Sequence, residues 1–336
     1  MLTPLKLAIV GVGRMGQVHA RILSQIDEVD LVAVVDGQSD IVEALAKELD
    51  VLSYSNVGAI PGEHGIQAWL IATPTPTHPD LVRIALDAGM NVLCEKPLSL
   101  DPSEGAELGE LADRKGLVLQ IGFWRRFSPP WTAARRSLLA GAIGEPVMIR
   151  LSQWDANPPP PAFCDPSVSG GLAIDCGVHE FDLVEWFTGS TVVSVTGRNL
   201  RLVDPAVGTS GDVDNLLALL DLENGVTATV DLSRNSRYGD DVRTEILGSE
   251  GALLIDLLPT GQTRLATASG IHILEDSRSS DATADGIANQ GRAFVARVRG
   301  GAFDVPGAAV STRAVEIGRA IQRSTNTGLA EPVSVV

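Results

Sequence analysis

Three residues of this 336-residue chain have types and spacings that favour acid–base chemistry. Lys96 stands in the segment LCEKPLSLDP, between an apolar run and a proline, at the end of a predicted buried strand. Because an unpaired buried charge is costly, this lysine must be solvated, paired or directed at a ligand. Asp175 and His179 in DCGVH lie four residues apart, which places them on one face of a predicted helix.

A histidine with a carboxylate one helical turn away is a candidate general acid or base. The carboxylate can orient the imidazole and stabilise its protonated form. Asp182 follows His179 by three residues and is an alternative partner. Simpler interpretations stay open: a structural histidine, and a surface lysine before a turn. Glu95 is a poor partner for the Lys96 side chain, since successive strand residues face opposite ways.

A glycine pattern predicts a dinucleotide site. GVGRMG places Gly11, Gly13 and Gly16 in the G-x-G-x-x-G arrangement, after a predicted strand and at the start of a predicted helix. In such sites the first glycine allows a tight turn, the second lets the backbone approach the pyrophosphate, and the third lets helix and strand pack closely. The helix N-terminus then offers N–H groups to phosphate.

Asp36 favours NAD over NADP. It lies twenty residues beyond Gly16, at the end of the next predicted strand. A carboxylate at this place accepts hydrogen bonds from the ribose hydroxyls and repels a 2′-phosphate, and the following Gly-Gln-Ser supplies no arginine. Arg14 and Met15, inside the glycine pattern, are expected to contact the cofactor as well.

A second loop is expected at the cofactor. ATPTPTH (72–78) follows another predicted strand, and ligands bind at the carboxyl ends of strands in such sheets. Thr73 and Pro74 are expected to line the nicotinamide side, and Thr77 and His78 to complete the loop. Alternatively, Thr77 caps the next helix and His78 belongs to the turn before it.

Strand and helix alternate up to about residue 123, which predicts an α/β Rossmann domain with a parallel sheet and helices on both faces. Asp101 is the predicted N-cap of one helix, and Gly116 follows its end. The predicted strands are 5–10, 31–36, 67–73, 91–96 and 117–123, and the predicted helices are 15–26, 39–49, 78–89 and 101–116.

The rest of the chain predicts an α+β domain with a large, mostly antiparallel sheet. Alternating apolar segments are separated by turns, including a hairpin signal at Asn224-Gly225. A helix is predicted at 172–189, ending at Gly189. We predict an NAD-binding domain at 1–122 and a substrate-binding and oligomerisation domain at 123–336. Further predictions are a strand at 146–154, a polar loop at 276–290, and final helices near 291–299 and 308–325 that are candidates to pack back on the first domain.

Composition limits the partners. With 26 basic and 42 acidic residues, the net charge is −16, which argues against binding nucleic acid or an anionic membrane surface. Three cysteines without zinc-site spacing favour reduced thiols in a cytoplasm. The segment MLTPLKLAIVGVG predicts a strand rather than a signal peptide. No apolar stretch reaches the ~20 residues of a membrane span, and no ligand cluster suggests a metal.

Five segments together resemble a known family. GVGRMG, TPTPTH, CEKPLS, GFWRRFSP and SGGLAIDCGVHEFDLVEWFTG occur in that order. They resemble the glucose-fructose oxidoreductase/inositol dehydrogenase/rhizopine-catabolism family over most of the chain. The EKP triplet and the D-x-x-x-H helix are the most specific pieces. RRF, NPPPP…SGG and HEFD are most similar to inositol 2-dehydrogenases within that family.

The resemblance implies roles for the candidate residues. Lys96 would hydrogen-bond the substrate hydroxyl, His179 would take its proton, and Asp175 would tune His179 and help hold a polyol. NAD would accept the hydride, so no metal is needed. Glu95 is expected among the cofactor contacts, and the bond before Pro97 is expected to be cis.

The resemblance also implies that the substrate is a cyclic polyol. The leading expectation is oxidation of myo-inositol to 2-keto-myo-inositol. Asp155, Asn157, Tyr238 and Trp124 match positions near the polyol. Asp155 stands where some inositol enzymes carry histidine, and Trp124 replaces smaller residues. Another inositol isomer such as scyllo-inositol, an aldose oxidised at C1, and a non-catalytic NAD-binding sensor stay as alternatives. A homo-oligomer is expected, and the resemblance suggests a tetramer.

Overall fold

A computed structural model describes residues 3–156, 158–203, 205–258 and 260–334. The chain forms two compact units. The first comprises Met1–Trp124 with Ile287–Thr312, and the second comprises Arg125–Gly286 with Arg313–Val336. Within the described ranges, none of the helices combines the length and apolar character needed to cross a bilayer.

The first unit contains a six-stranded sheet in which every neighbouring pair is parallel. The predicted Rossmann fold is therefore confirmed. The order β3-β2-β1-β4-β5-β6 reverses direction between β1 and β4, and ligands bind at the carboxyl ends of strands at such a switch point. The strands are β1 (Leu5–Val10), β2 (Val29–Val35), β3 (Leu52–Tyr54), β4 (Ala68–Ile71), β5 (Asn91–Cys94) and β6 (Leu119–Ile121).

Helices of the first unit begin and end near the predicted residues. Asp101 caps the fourth helix, since its Oδ1 accepts the Ser103 N–H at 2.9 Å, and Gly116 ends it with φ +66°. Both features were predicted from the sequence and are confirmed. The helices are α1 (Arg14–Leu23), α2 (Ser39–Leu49), α3 (His78–Asp87) and α4 (Pro102–Lys115).

The second unit contains a nine-stranded sheet in the order β14-β13-β12-β11-β7-β10-β9-β8-β15. All neighbouring pairs are antiparallel except β7 and β10, so the predicted mostly antiparallel sheet is confirmed. The strands are β7 (Pro146–Trp154), β8 (Val192–Leu200), β9 (Asn215–Leu222), β10 (Thr227–Ser233), β11 (Asp241–Gly248), β12 (Gly251–Asp256), β13 (Gln262–Thr267), β14 (Gly270–Ile273) and β15 (Glu331–Pro332).

Seven further α-helices follow within the residues that the structure describes. The first of them was not predicted, because its first turn is Pro129-Pro130; prolines are tolerated there, since these N–H groups have no helical partner. The helices are α5 (Pro129–Leu139), α6 (Pro166–Ser169), α7 (Leu172–Asp175), α8 (Gly177–Thr188), α9 (Pro205–Thr209), α10 (Ala282–Val298) and α11 (Ala308–Thr327).

The predicted polar loop at 276–290 is wrong in its second half, where α10 has already begun. Ile287 is the one large apolar residue in this part of the sequence, so the buried face of the helix was not evident. Ile287 and Gln290 are fully buried, and Phe294 and Val295 join the apolar cluster of the first unit. Tertiary packing therefore stabilises a helix whose first turns carry a weak apolar pattern.

Asp101→Ala should lower the free energy of unfolding by about 1 kcal/mol, because it leaves a helical N–H without its acceptor. Urea titration measures the change. Gln38→Ala is the matched control: Gln38 occupies the N-cap position of α2 but makes no side-chain cap bond. Equal losses in both variants would contradict the capping role.

Candidate active site

Candidate residues lie in both units. In the first, the glycine turn has the close contacts that a dinucleotide site needs. Gly11 follows β1 with φ +90°, and a Cβ there would lie 2.7 Å from the Ala72 carbonyl carbon. A Cβ at Gly16 would lie 1.9 Å from the Gly11 carbonyl oxygen. By contrast, a Cβ at Gly13 would meet nothing within 4 Å, so the turn is open on the side where a pyrophosphate would approach.

The start of α1 fits an anion. Its N-cap residue is Gly13, which has no side chain to cap the helix. The first turn therefore offers main-chain N–H groups. Arg14 is exposed and Met15 is half-buried at this end of the helix. Both residues therefore lie where the sequence predicts cofactor contacts.

Asp36 is held beside the glycine turn. Its Oδ2 accepts the Val12 N–H at 2.8 Å, and its Oδ1 accepts the Gln38 N–H at 2.9 Å. An ionised carboxylate has about four acceptor positions, so these two bonds leave capacity for ribose hydroxyls. The residues therefore fit an NAD adenosine half.

The loop after β4 is braced by its own side chains. Thr77 Oγ1 lies 2.7 Å from Thr73 Oγ1 and 2.8 Å from the Pro74 carbonyl oxygen. Thr77 is the N-cap residue of α3 but makes no side-chain cap bond, so the capping alternative is not what its hydroxyl does. His78 is buried, and its two ring nitrogens each lie 2.8 Å from a carbonyl oxygen, of Pro97 and of Thr73. Burial lowers the pKa of His78.

Lys96 follows β5 and is half-buried. The Lys96-Pro97 bond is cis, as the resemblance implies. Glu95 is turned inward: its Oε2 accepts the main-chain N–H of Lys96 at 3.1 Å, and its Oε1 lies 2.6 Å from His19 Nε2. Glu95 therefore supports the Lys96 main chain. The glycine turn, the loop after β4 and Lys96 all follow the carboxyl ends of strands in one sheet.

In the second unit, Asp175 and His179 do not lie on one continuous helix. The prediction of a single helix at 172–189 is wrong at Cys176, which lies between the end of α7 at Asp175 and the start of α8 at Gly177. The His179 N–H bonds to the Cys176 carbonyl at 3.3 Å, three residues back, so the junction is tighter than an α-helix. Gly189 ends α8 with φ +63°, as predicted.

A buried arginine anchors Asp175. Arg234 Nη1 lies 3.2 Å from Asp175 Oδ2, and Nη2 lies 3.1 Å from Asp212 Oδ2. Asp212 in turn accepts the Leu172 N–H at 2.9 Å, at the start of α7. Burial acts to lower the pKa of Arg234, but Cys176 and the two carboxylates raise it well above its ordinary value. Arg234 therefore stays cationic and holds Asp175.

Arg234 was missed in the sequence, although a signal was present. Residues 228, 230 and 232 of β10 are buried in alternation, and Arg234 continues that phase with 1% exposure. A buried arginine needs carboxylate partners. The alternation could therefore have predicted an ion-pair network in this part of the sheet.

Asp182 is bound elsewhere. Arg126 Nε lies 3.0 Å from both carboxylate oxygens of Asp182, and burial raises the pKa of Asp182. On the same helix, Glu180 pairs with Arg125, and burial raises its pKa too. Asp182 and Asp175 each pair with an arginine, but the Asp175 side chain is 18% exposed and the Asp182 side chain only 1%. Asp175 is therefore the better candidate partner for His179, which is itself buried.

The expected polyol residues have different surroundings. Asp155 lies beside the α7–α8 junction: its Oδ2 accepts from Cys176 Sγ at 3.2 Å and its Oδ1 from Gln153 Nε2 at 3.0 Å. Tyr238 is exposed and donates to Asp241 Oδ2 at 2.7 Å. Trp124, the last residue of the first unit's main segment, is nearly buried. Asn157 lies outside the described residues.

No group of three or more His, Cys, Asp or Glu that could hold a metal ion is found among the residues the structure describes. The three cysteines, Cys94, Cys164 and Cys176, are buried thiols that are not joined in disulfides.

The family follows from comparison with known proteins. The model of an oxidoreductase family with an NAD-binding Rossmann fold matches residues 5–123, and the model of the GFO/IDH/MocA C-terminal domain matches residues 131–254. The chain belongs to this family. It is an NAD-dependent oxidoreductase of the class that acts on CH–OH groups.

Relatives and solved structures match most of the chain. The chain is 33% identical over 325 residues to the inositol 2-dehydrogenase of Rhizobium meliloti (strain 1021), and the match covers 95% of this chain and 96% of that protein. It is 34% identical to the scyllo-inositol 2-dehydrogenase (NAD(+)) of Bacillus subtilis (strain 168), covering 79% and 78%. The structure of scyllo-inositol dehydrogenase from Lactobacillus casei with bound NAD(H) and scyllo-inositol has a TM-score of 0.85 at 26% identity, covering 99% and 100%.

Asp36→Ala should weaken NAD binding about tenfold or more, because the ribose hydroxyls lose a charged acceptor. It should also reduce the preference for NAD over NADP, since a 2′-phosphate would no longer meet a carboxylate. Titration with each cofactor, followed by fluorescence or calorimetry, measures both. Asp40→Ala, an exposed carboxylate in the first turn of α2, is the control. An unchanged NAD affinity in Asp36→Ala would remove the assignment.

Proposed function

We propose that this protein is an inositol 2-dehydrogenase that oxidises myo-inositol to 2-keto-myo-inositol with NAD. The observation that carries the proposal is the placement of Lys96 after β5, on the same sheet edge as the glycine turn and Asp36. Relatives covering most of the chain are named inositol dehydrogenases, which supports the choice of a cyclic polyol.

Oxidation of a secondary alcohol requires removal of a proton and a hydride. NAD, when bound, supplies the hydride acceptor. We propose that His179 takes the hydroxyl proton as general base, and that Lys96 stabilises the negative charge that develops on the same oxygen. Asp175, held by Arg234, would orient the imidazole of His179 and accept a hydrogen bond from the polyol.

The remaining substrate contacts are proposed from the resemblance and local chemistry. Asp155, placed beside Cys176, is the best supported, because a carboxylate there can accept from a polyol hydroxyl. Trp124, Tyr238 and Asn157 stay proposals. Local geometry directly supports four of the proposed cofactor contacts: Gly11, Gly13, Gly16 and Asp36. The others are proposed from their position in the fold, and they are Arg14, Met15, Thr73, Pro74, Thr77, His78 and Glu95.

A polyol screen tests the function. The purified protein is incubated with NAD and with myo-inositol, scyllo-inositol, other inositol isomers and aldoses, and the formation of NADH is followed by its absorbance. Turnover of myo-inositol above the others supports the proposal. A preference for scyllo-inositol or for an aldose at C1 replaces the substrate but keeps the chemistry. NAD binding without any turnover favours a sensor.

Lys96→Met and His179→Ala should each lower kcat by about 100-fold or more, because one removes electrostatic stabilisation and the other removes the general base. NAD should still bind to both variants. Steady-state kinetics and NAD titration measure these effects. Lys47→Met and His272→Ala, which change exposed residues, are the controls. Near-wild-type kcat in either test variant would remove that residue from the mechanism.

We also propose a homo-oligomer, and a tetramer as its size. Leu217 and Leu219 on β9 are each 49% exposed, and Met148 on β7 and Leu247 on β11 are also exposed. The strand register places these four side chains on one face of the sheet. An exposed apolar sheet face of this kind commonly packs against another subunit.

The double variant Leu217→Asp/Leu219→Asp should have a lower molar mass in solution than the wild type. Assembly through this face would bury the new carboxylates, and their desolvation is costly. Light scattering after size-exclusion chromatography measures the mass. Ile84→Asp, which changes an exposed apolar residue on α3 of the first unit, should leave it unchanged. A wild-type monomer, or an unaffected oligomer in the double variant, would contradict the proposal.

A cytoplasmic location is proposed as well. Three thiols that are not joined in disulfides and the use of NAD fit a reducing compartment.

A further inference from the structure

A buried histidine–carboxylate pair lies next to Lys96 in the first unit, and the proposed mechanism does not use it. His19 on α1 is 1% exposed and Glu95 is 8% exposed. His19 Nε2 lies 2.6 Å from Glu95 Oε1, and Glu95 Oε2 accepts the main-chain N–H of Lys96 at 3.1 Å. One carboxylate therefore joins α1 to the main chain at Lys96.

The ends of neighbouring strands enclose this carboxylate. The Glu95 N–H bonds to the Ile71 carbonyl at the end of β4, and the Gly122 N–H bonds to the Cys94 carbonyl after β6, both at 2.8 Å. A Cβ at Gly122 would lie 3.2 Å from Glu95 Cα, Cδ and Oε1. The absence of a side chain at Gly122 thus makes room for the Glu95 carboxylate.

The charge of Glu95 depends on its partners. Burial acts to raise the pKa of Glu95, but the His19 hydrogen bond and attraction, together with the charge and N–H of Lys96, hold it below its ordinary value. Two further titratable groups face the carboxylate: the His78 imidazole of α3 and the Cys94 thiol, each of which it affects electrostatically. Loss of His19 would leave burial opposed by fewer partners.

We propose that His19 is a positioning residue for Lys96: it holds the ionised Glu95 carboxylate, which fixes the Lys96 main chain at the end of β5. The inference rests on the proposed function, in that Lys96 is taken to act on the substrate hydroxyl. His19 exchanges no proton with substrate. Because α1 also begins at the glycine turn, the helix proposed to receive the pyrophosphate is also the helix that holds the Lys96 main chain, through His19 and Glu95.

Two substitutions separate the hydrogen bond from the volume of the side chain. His19→Leu removes the donor, and His19→Gln keeps an N–H donor at a similar reach. We expect His19→Leu to lower kcat by about 10- to 100-fold, the cost of a small misplacement of a reacting group, with the NAD dissociation constant changed by less than about threefold. His19→Gln should recover most of the loss. His64→Leu is the matched control, since His64 pairs with Tyr54 in the same unit.

The pH profile provides a readout that a loss of packing would not move. In His19→Leu the pKa of Glu95 should rise, because burial then has fewer opponents. Glu95 would take up a proton at a higher pH than in the wild type, so the acid limb of kcat should move to higher pH and the deficit should shrink in alkaline buffer. An equal deficit at every pH would overturn the inference.

Hydrogen exchange tests the pairing without relying on turnover. The peptide that contains the Lys96 amide should exchange faster in His19→Leu than in the wild type, and His19→Gln should resemble the wild type. If the wild type turns over no polyol, the proposed function fails while exchange still decides the pairing. If His19→Leu does not fold, His19→Asn, whose amide falls short of Glu95, takes its place. Wild-type kcat, pH profile and exchange in the donor-less variant would overturn the inference.

Discussion

The candidate cofactor site at the carboxyl ends of the first unit's strands depends on the close approach of Gly11 and Gly16. No side chain fits at Gly16, because its Cβ would lie 1.9 Å from the Gly11 carbonyl oxygen. This approach places α1 directly against the end of β1, and the turn between them carries the Val12 N–H that bonds to Asp36. The same helix brings His19 to Glu95. One backbone contact therefore underlies the proposed phosphate-binding helix end, the proposed ribose acceptor and the proposed support of Lys96.

In the second unit, buried salt bridges position the candidate site residues. Three arginines, Arg125, Arg126 and Arg234, pair with carboxylates on or next to α7 and α8. Replacing such pairs by apolar side chains is often neutral for stability, so they are weak evidence for a stabilising role. Their geometric effect is clearer: salt bridges fix the rotation of α8 and the position of Asp175, whereas apolar contacts alone are non-directional.

Most of the first unit could be predicted because its signals are local. A strand, a glycine turn, an acidic residue at the next strand end and a capped α4 each depend on a few neighbouring residues, and all occur as predicted. The break at Cys176 could not be predicted, since 172–189 carries no proline or internal turn signal strong enough to end a helix. The start of α10 was also hidden, because its stability comes from packing against residues distant in sequence.

The partners of the candidate site residues were the least predictable part. Asp175 and His179 were identified from spacing, but Arg234 lies 59 residues from Asp175, and His19 lies 76 residues from Glu95. Sequence spacing gives no measure of such contacts. What it does provide is burial phase: Arg234 continues the inward alternation of β10, and a charge in an inward phase requires an opposite charge nearby.

The charge arrangement next to α7 bears on the choice among polyol isomers. Arg234 is shared by Asp175 and Asp212, and Asp155 bonds to a thiol and an amide. Ionised carboxylates only accept hydrogen bonds, and every polyol hydroxyl can donate one. An isomer with one inverted hydroxyl would leave an acceptor without its donor, which costs about 1–3 kcal/mol and is enough to select one isomer over another. We therefore propose that the acceptor positions set isomer choice, while the roles proposed for Lys96 and His179 belong to the chemistry that all isomers share. That division agrees with relatives of one family being named for scyllo-inositol and for myo-inositol.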